Sequence, residues 1–225
     1  MKPLLLLLAC LPALTAFSQT SSDQSSPDQS SPDQSKFNLG LIGGGTLTNM
    51  PFKENYFVDD EATNTNTEFG YFVGLAGRKS FNNRFSALLE AQYTVKGFRF
   101  ATSPLENRWH FHYLDIIPQL EYRAYQRLFA SLGCYWGRRL EERFKEGDGD
   151  WNTLDNSAFQ YAQDNDFGAV AGISFRHKRF SALLRYQHGI NLATSGVQYT
   201  NSGGNVVNTS QRNRTLTLGI GFNIL

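Results

Sequence analysis

Arg214-Thr215-Leu216-Thr217-Leu218-Gly219-Ile220-Gly221-Phe222-Asn223-Ile224-Leu225 has two different faces. A strand sends successive side chains to opposite sides, so Leu216, Leu218, Ile220, Phe222 and Ile224 share one face. Thr215, Thr217, Gly219, Gly221 and Asn223 share the other. The same period of two recurs upstream. Phe85, Ala87, Leu89, Ala91, Tyr93 and Val95 oppose Ser86, Leu88, Glu90, Gln92, Thr94 and Lys96. Phe180, Ala182, Leu184, Tyr186 and Ile190 oppose Ser181, Leu183, Arg185, Gln187 and Asn191. Eight strand-like runs are legible in all, at 37–47, 68–80, 84–98, 109–124, 127–141, 166–176, 179–192 and 213–225.

The connections between the runs alternate in length. Phe81-Asn82-Asn83, Tyr125-Gln126 and His177-Lys178 are short, whereas Thr48 to Thr67, Arg99 to Arg108, Glu142 to Asn165 and Ala193 to Asn213 are long. Short turns at one end and long loops at the other are the layout of a transmembrane barrel, with the turns in the periplasm. The sequence therefore predicts an all-β fold: an eight-stranded antiparallel up-and-down transmembrane β-barrel at 37–225. Arg84-Phe85-Ser86-Ala87-Leu88-Leu89 recurs as Arg179-Phe180-Ser181-Ala182-Leu183-Leu184, each copy opening a strand after a short turn.

The mean hydropathy of −0.39 reads as water-soluble. For a barrel that average misleads, because each strand shows lipid only every second residue. The 14% aromatic content and 20 glycines suit strands. A net charge of +1 makes no electrostatic case for nucleic acid. Residues 1–18 read as a signal peptide: Lys2, an apolar stretch from Leu4 to Phe17, then Ala16 and Ser18 as small residues before cleavage near Ser18 or Gln19. Leu7-Leu8-Ala9-Cys10 offers a rival lipobox reading, which the apolar run continuing past Cys10 disfavours. Residues 19–36 repeat Ser-Ser-Pro-Asp-Gln and read as a disordered tether. The mature chain would keep Cys134 alone, which builds neither a disulfide framework nor a cysteine metal site.

Alternation leaves open which face meets lipid, since a soluble lipocalin-like barrel also alternates, with its apolar face inward. Aromatics near strand ends (Phe85, Tyr122, Trp136, Phe180) favour the membrane version, as do charges at mid-strand. In a barrel this narrow, Glu90, Asp115 and Glu121 are predicted to form an interior network of structural role with Arg78, Arg123, Arg139 and Arg185.

His112-Tyr113-Leu114-Asp115-Ile116-Ile117-Pro118-Gln119-Leu120-Glu121-Tyr122 resembles the Tyr-Leu-acid-Ile-Pro strand of the PorT-like outer-membrane β-barrel family of Bacteroidota. Ile117 is an extra residue before Pro118, and Gln119 and Glu121 occupy commonly apolar positions. Asp166-Phe167-Gly168 through Gly172, followed by Leu184-Arg185-Tyr186-Gln187-His188-Gly189-Ile190-Asn191, is similar to that family's penultimate hairpin. Ala16-Phe17-Ser18-Gln19 is similar to signal ends in the same phylum. The resemblance spans Phe37 to Leu225 and implies an outer-membrane location, with a secretion role in one branch. Pro118 cannot donate a ladder hydrogen bond, so a local irregularity is expected there.

No catalytic, cofactor or metal set emerges. His110 and His112 share a face and could offer two metal ligands, but they read as surface residues of an external rim. Arg185-Tyr186-Gln187-His188 is loosely similar to the catalytic strand of outer-membrane lipid A deacylases, yet Ile190 stands where the serine nucleophile belongs. Asp148, Asp150, Asn152 and Asp155 read as an acidic solvated loop, because the glycine and glutamate of a calcium loop are misplaced. The expected function is a non-enzymatic envelope scaffold, structural or binding through its loops. A lipid-modifying enzyme and a soluble ligand carrier are the alternatives. Expected partners are outer-membrane lipid and an envelope or extracellular protein at the long loops, with no nucleic acid and a monomeric barrel.

Overall fold

A computed structural model describes residues 37–51, 65–102, 105–153, 163–191, 194–200 and 206–224. The expected signal, tether and Asp155 lie outside these residues. Eleven strands follow in chain order: β1 (Phe37–Asn49), β2 (Thr65–Ser80), β3 (Phe85–Thr102), β4 (Leu105–Tyr125), β5 (Leu128–Glu146), β6 (Asn152–Thr153), β7 (Asn165–His177), β8 (Phe180–Gly189), β9 (Thr194–Thr200), β10 (Val206–Gln211) and β11 (Arg214–Asn223). Around the sheet the order is β4-β3-β2-β1-β11-β8-β7-β5, and β4 pairs β5 to close the ring. Every pairing is antiparallel, and eight strands make the barrel; β6 extends one edge of β5.

Closure removes the unpaired edges that an open sheet would leave in lipid. The apolar face points out: Leu218 and Ile220 are 66% and 72% exposed, while Thr215 and Thr217 on the opposite face are 1% exposed. A lipocalin-like carrier needs the reverse, so that alternative fails on the observed faces. Exposed apolar residues run from Leu128 to Trp136 on β5 and from Leu216 to Ile224 at the last strand, each stretch about the 9–11 residues a tilted strand needs to span a membrane. Exposed Arg138 lies above Trp136, and exposed Arg214 lies above Leu216.

The short turns are chemically specified. Asn82 Oδ1 accepts hydrogen bonds from the backbone N–H of Arg84 and of Phe85, both 2.8 Å, which folds the first turn back on itself. Lys178 takes the left-handed conformation, φ 55°, in the third. At the β1–β11 seam a Cβ on Gly44 would sit 2.2 Å from the Leu218 carbonyl oxygen. A Cβ on Gly219 would sit 2.5 Å from Phe72 Cζ, so the two glycines let the Phe72 ring lie against backbone.

Three expectations need correction. Arg99 to Arg108 is not a long loop: β3 and β4 pair from Phe85↔Tyr122 up to Thr102↔Leu105. Above the lipid band the ladder continues because aromatic side chains meet across it. Ala193 to Asn213 is not a plain loop either, since β9 and β10 form a two-stranded hairpin within it. At Pro118 no register shift occurs; the β4–β5 ladder passes from Ile116↔Trp136 to Gln119↔Gly133 in step, and the shifts fall at His112/Tyr113 and Arg123/Tyr125. Without an N–H, Pro118 leaves a gap in one ladder but still fits the strand beside Leu89.

Candidate functional site

The lumen is filled in tiers. Because inward positions alternate along every strand, polar residues separated widely in sequence meet across the narrow interior. At the turn end, Arg78 Nε lies 2.7 Å from Glu121, and Arg176 also pairs with Glu121. In the middle, Arg185 pairs with Glu90 and donates to Gln92 at 2.9 Å. Above that, Lys96 Nζ lies 3.2 Å from Asp115 and 3.1 Å from Asp166. The rings of Tyr113 and Tyr135 flank the same ammonium at 4.7 and 4.6 Å. Asp166 also accepts hydrogen bonds from the Tyr135 hydroxyl, 3.1 Å, and from Asn213 Nδ2, 2.7 Å. All three charges of this tier are fully or almost fully buried, so each depends on its partners for solvation.

Over the ion pairs sits an apolar cluster of Met50, Phe98, Phe111 and Tyr113, with Trp109 packed against it. Phe98 and Trp109 stack at 5.2 Å, and Trp109 meets Phe144 at 4.7 Å. Below the middle tier a cavity of about 40 Å³ remains, lined by Arg78, Glu90, Glu121 and Arg185 among others. That is room for on the order of one or two waters.

Of the residues predicted for the interior, Glu90 meets Arg185 and Glu121 meets Arg78. Asp115 instead takes Lys96 as its partner. Arg139 lies higher and pairs with Glu142 at 2.9 Å and Asp164 at 3.4 Å, so it is not joined to the three predicted carboxylates. Arg123 is exposed at the lower mouth, its guanidinium 5.5 Å from the Phe129 ring. Depth separates them: Arg123 stands near the lower end of β4, and Arg139 lies part-way up β5 opposite Tyr113, one inward position above the level of Asp115. Lys96, Asp166 and Arg176 were missed as members. Lys96 was visible on a polar strand face, but its partner Asp166 lies 70 residues away and is found only through the closed register.

Outside the barrel, above the lipid band, charged side chains cover the extended strands. Arg99 Nη1 donates to Glu106 at 3.0 Å, and this hydrogen bond holds the Glu106 carboxyl below the usual carboxylate range. Glu68 lies 3.1 Å from His110, whose ring stacks on Trp151 at 4.1 Å. His112 is buried rather than on the surface, and hydrogen-bonds Tyr93. The two histidines thus engage separate partners. Asp148 and Asp150 are exposed, and Asn152 Nδ2 donates to the Asp150 carbonyl at 3.2 Å. His188 faces Tyr186 at 3.3 Å on the outer side, with Ile190 exposed beside it. Cys134 is a half-buried thiol on the outward face.

No curated protein matches the chain. Among solved structures of similar fold is Ail of Yersinia pestis, crystallised with the heparin analogue sucrose octasulfate; it is 15% identical over 84% of this chain and 99% of that chain, TM-score 0.42. OprG from Pseudomonas aeruginosa is 11% identical over 84% of this chain and 97% of that chain, TM-score 0.43. The outer membrane protease OmpT from Escherichia coli is 9% identical over 86% and 97% respectively, TM-score 0.40. Residues 17–195 match the family model described as outer membrane protein beta-barrel domain, so the chain belongs to that family and is a protein of the outer membrane.

Proposed function

We propose that this barrel is a non-enzymatic scaffold of the outer membrane that holds its external segments for contact with an envelope or extracellular partner. One observation carries the reading: the lumen is occupied from the turn end upward by ion pairs and then by an aromatic cluster, while the longer connections all emerge at the opposite end. A filled barrel offers rigidity rather than passage. The structural role of the Glu90, Asp115 and Glu121 pairs belongs to this proposal, as does the export of the chain by its first 18 residues. The His112–Tyr122 motif supports placing it with PorT-like barrels inside the family, and hence within reach of a secretion role. His188 lacks a neighbouring serine two residues on, which argues against a lipid deacylase.

The test is site-specific photocrosslinking in intact cells from exposed positions on the external side, such as Asp148 and Trp151, with Asn82 in a periplasmic turn as control. Adducts to a discrete protein from the external positions alone are expected. Lipid A that loses an acyl chain on expression, and regains it with His188→Ala, would overturn the non-enzymatic reading.

A further inference from the structure

The short turns of the barrel carry exposed cations that stand outside the ion pairs described for the lumen. Arg84 closes the first short turn, Arg127 stands in the second, and Lys178 and Arg179 make the third. Arg84, Arg127, Lys178 and Arg179 are exposed. Residues 78–86, 121–129 and 175–181 hold a single carboxylate, Glu121, and it is turned inward to Arg78 and Arg176. The whole chain has a net charge of only +1, so this end is basic out of proportion. Carboxylates such as Glu68, Glu106, Glu141 and Glu146 lie at the opposite end.

The position of the cations identifies what they meet. The turns join β2 to β3, β4 to β5 and β7 to β8, so the sheet order spaces them around the rim instead of gathering them on one side. Exposed aromatics stand at the same end of the strands: Phe37 at 54%, Phe81 at 56%, Tyr125 at 67% and Phe180 at 65%. Such aromatic belts mark where acyl chains give way to headgroups. Long basic side chains beside a belt lay their stems on apolar surface and reach the phosphates. A compact acidic protein would cover one sector of the ring, whereas a lipid annulus touches all three turns.

We infer that the rim binds the phosphates of anionic phospholipids in the periplasmic leaflet, enriching them around the barrel over zwitterionic lipids. The test uses the full barrel folded into phosphatidylcholine vesicles containing spin-labelled phosphatidylglycerol or spin-labelled phosphatidylcholine, with the motionally restricted fraction read by electron spin resonance. The wild type is expected to favour the anionic label by about threefold or more at low salt, with the preference collapsing in 0.5 M salt as screening demands. The variant R84Q/R127Q/K178Q/R179Q should approach parity, and K178Q/R179Q, confined to one turn, should lose part of the preference. Heat-modifiable gel mobility shows that each variant is folded. Equal restriction of both labels by the wild type, or a preference that either folded variant retains in full, would overturn the inference. Parity in lipid together with capture of an acidic periplasmic protein would overturn it too, in favour of a protein contact.

Discussion

Lys96 holds the upper lumen together. Its ammonium is fully buried between Asp115 and Asp166, with a tyrosine ring on either side. Replacing it with methionine leaves two carboxylates in a low-dielectric interior, and removing one member of such a pair costs about 3–5 kcal/mol. Lys96→Met is expected to lower the urea midpoint in vesicles accordingly, and K96M/D115N/D166N to recover much of the loss. A single variant as stable as wild type would contradict the tier. Glu142 gives a pH signature at the same scale, above the membrane. Burial pushes its carboxyl from 4.5 up to about 7, against the opposing pull of Arg139. A carboxyl whose folded pKa is raised binds its proton more tightly in the folded state, so stability falls as pH rises through this window. Between pH 5.5 and 8 the wild type should lose more stability than Glu142→Gln; equal losses would remove Glu142 from the account. Sequence alternation was enough to put Lys96 and Glu90 on a polar strand face. It could not supply their partners, because those lie on strands brought opposite only when the ring closes.

The first six runs were legible at their periplasmic ends and too short at the others, whereas 179–192 and 213–225 outran β8 and β11 by a few residues. Inside the lipid band the outward positions are apolar and the inward ones mostly polar, so runs such as 84–98 and 213–225 declare themselves even though Leu88, Ile117 and Val170 point inward. Above the band both faces meet protein or water and that contrast disappears. There β3 and β4 persist to Thr102 and from Leu105 because Phe98 stacks on Trp109 within, and Arg99 meets Glu106 outside. These are cross-strand pairs that no single run reveals. The β1–β11 seam is a sharper test of an element's packing. Gly219→Val drives a side chain into the Phe72 ring, whose Cζ already lies 2.5 Å from the position of a Cβ. Overpacking of this kind costs about 1–3 kcal/mol. A lowered urea midpoint and a larger fraction of unfolded-mobility band are the expected readouts, and an unchanged midpoint would mean that the seam does not depend on the glycine.

For the molecule as a whole, the alternation of short and long connections carried the fold more securely than hydropathy did. A mean hydropathy of −0.39 hides an outward face on which Ile220 is 72% exposed, because the inward face cancels it. The sequence already put Glu90, Asp115 and Glu121 inside with Arg78 and Arg185; what lay beyond it was the tier built on Lys96 and Asp166 and the cap of Met50, Phe98, Phe111 and Tyr113 over the charges. The scaffold reading rests on that filling, since a barrel of this size conducts only if its interior opens. Single-channel recording of the purified barrel in planar bilayers addresses it most directly. The expected result is a silent membrane, with no steady stepwise current for the wild type at neutral pH. Large, stable conductance steps would contradict the filled barrel and make the protein a pore.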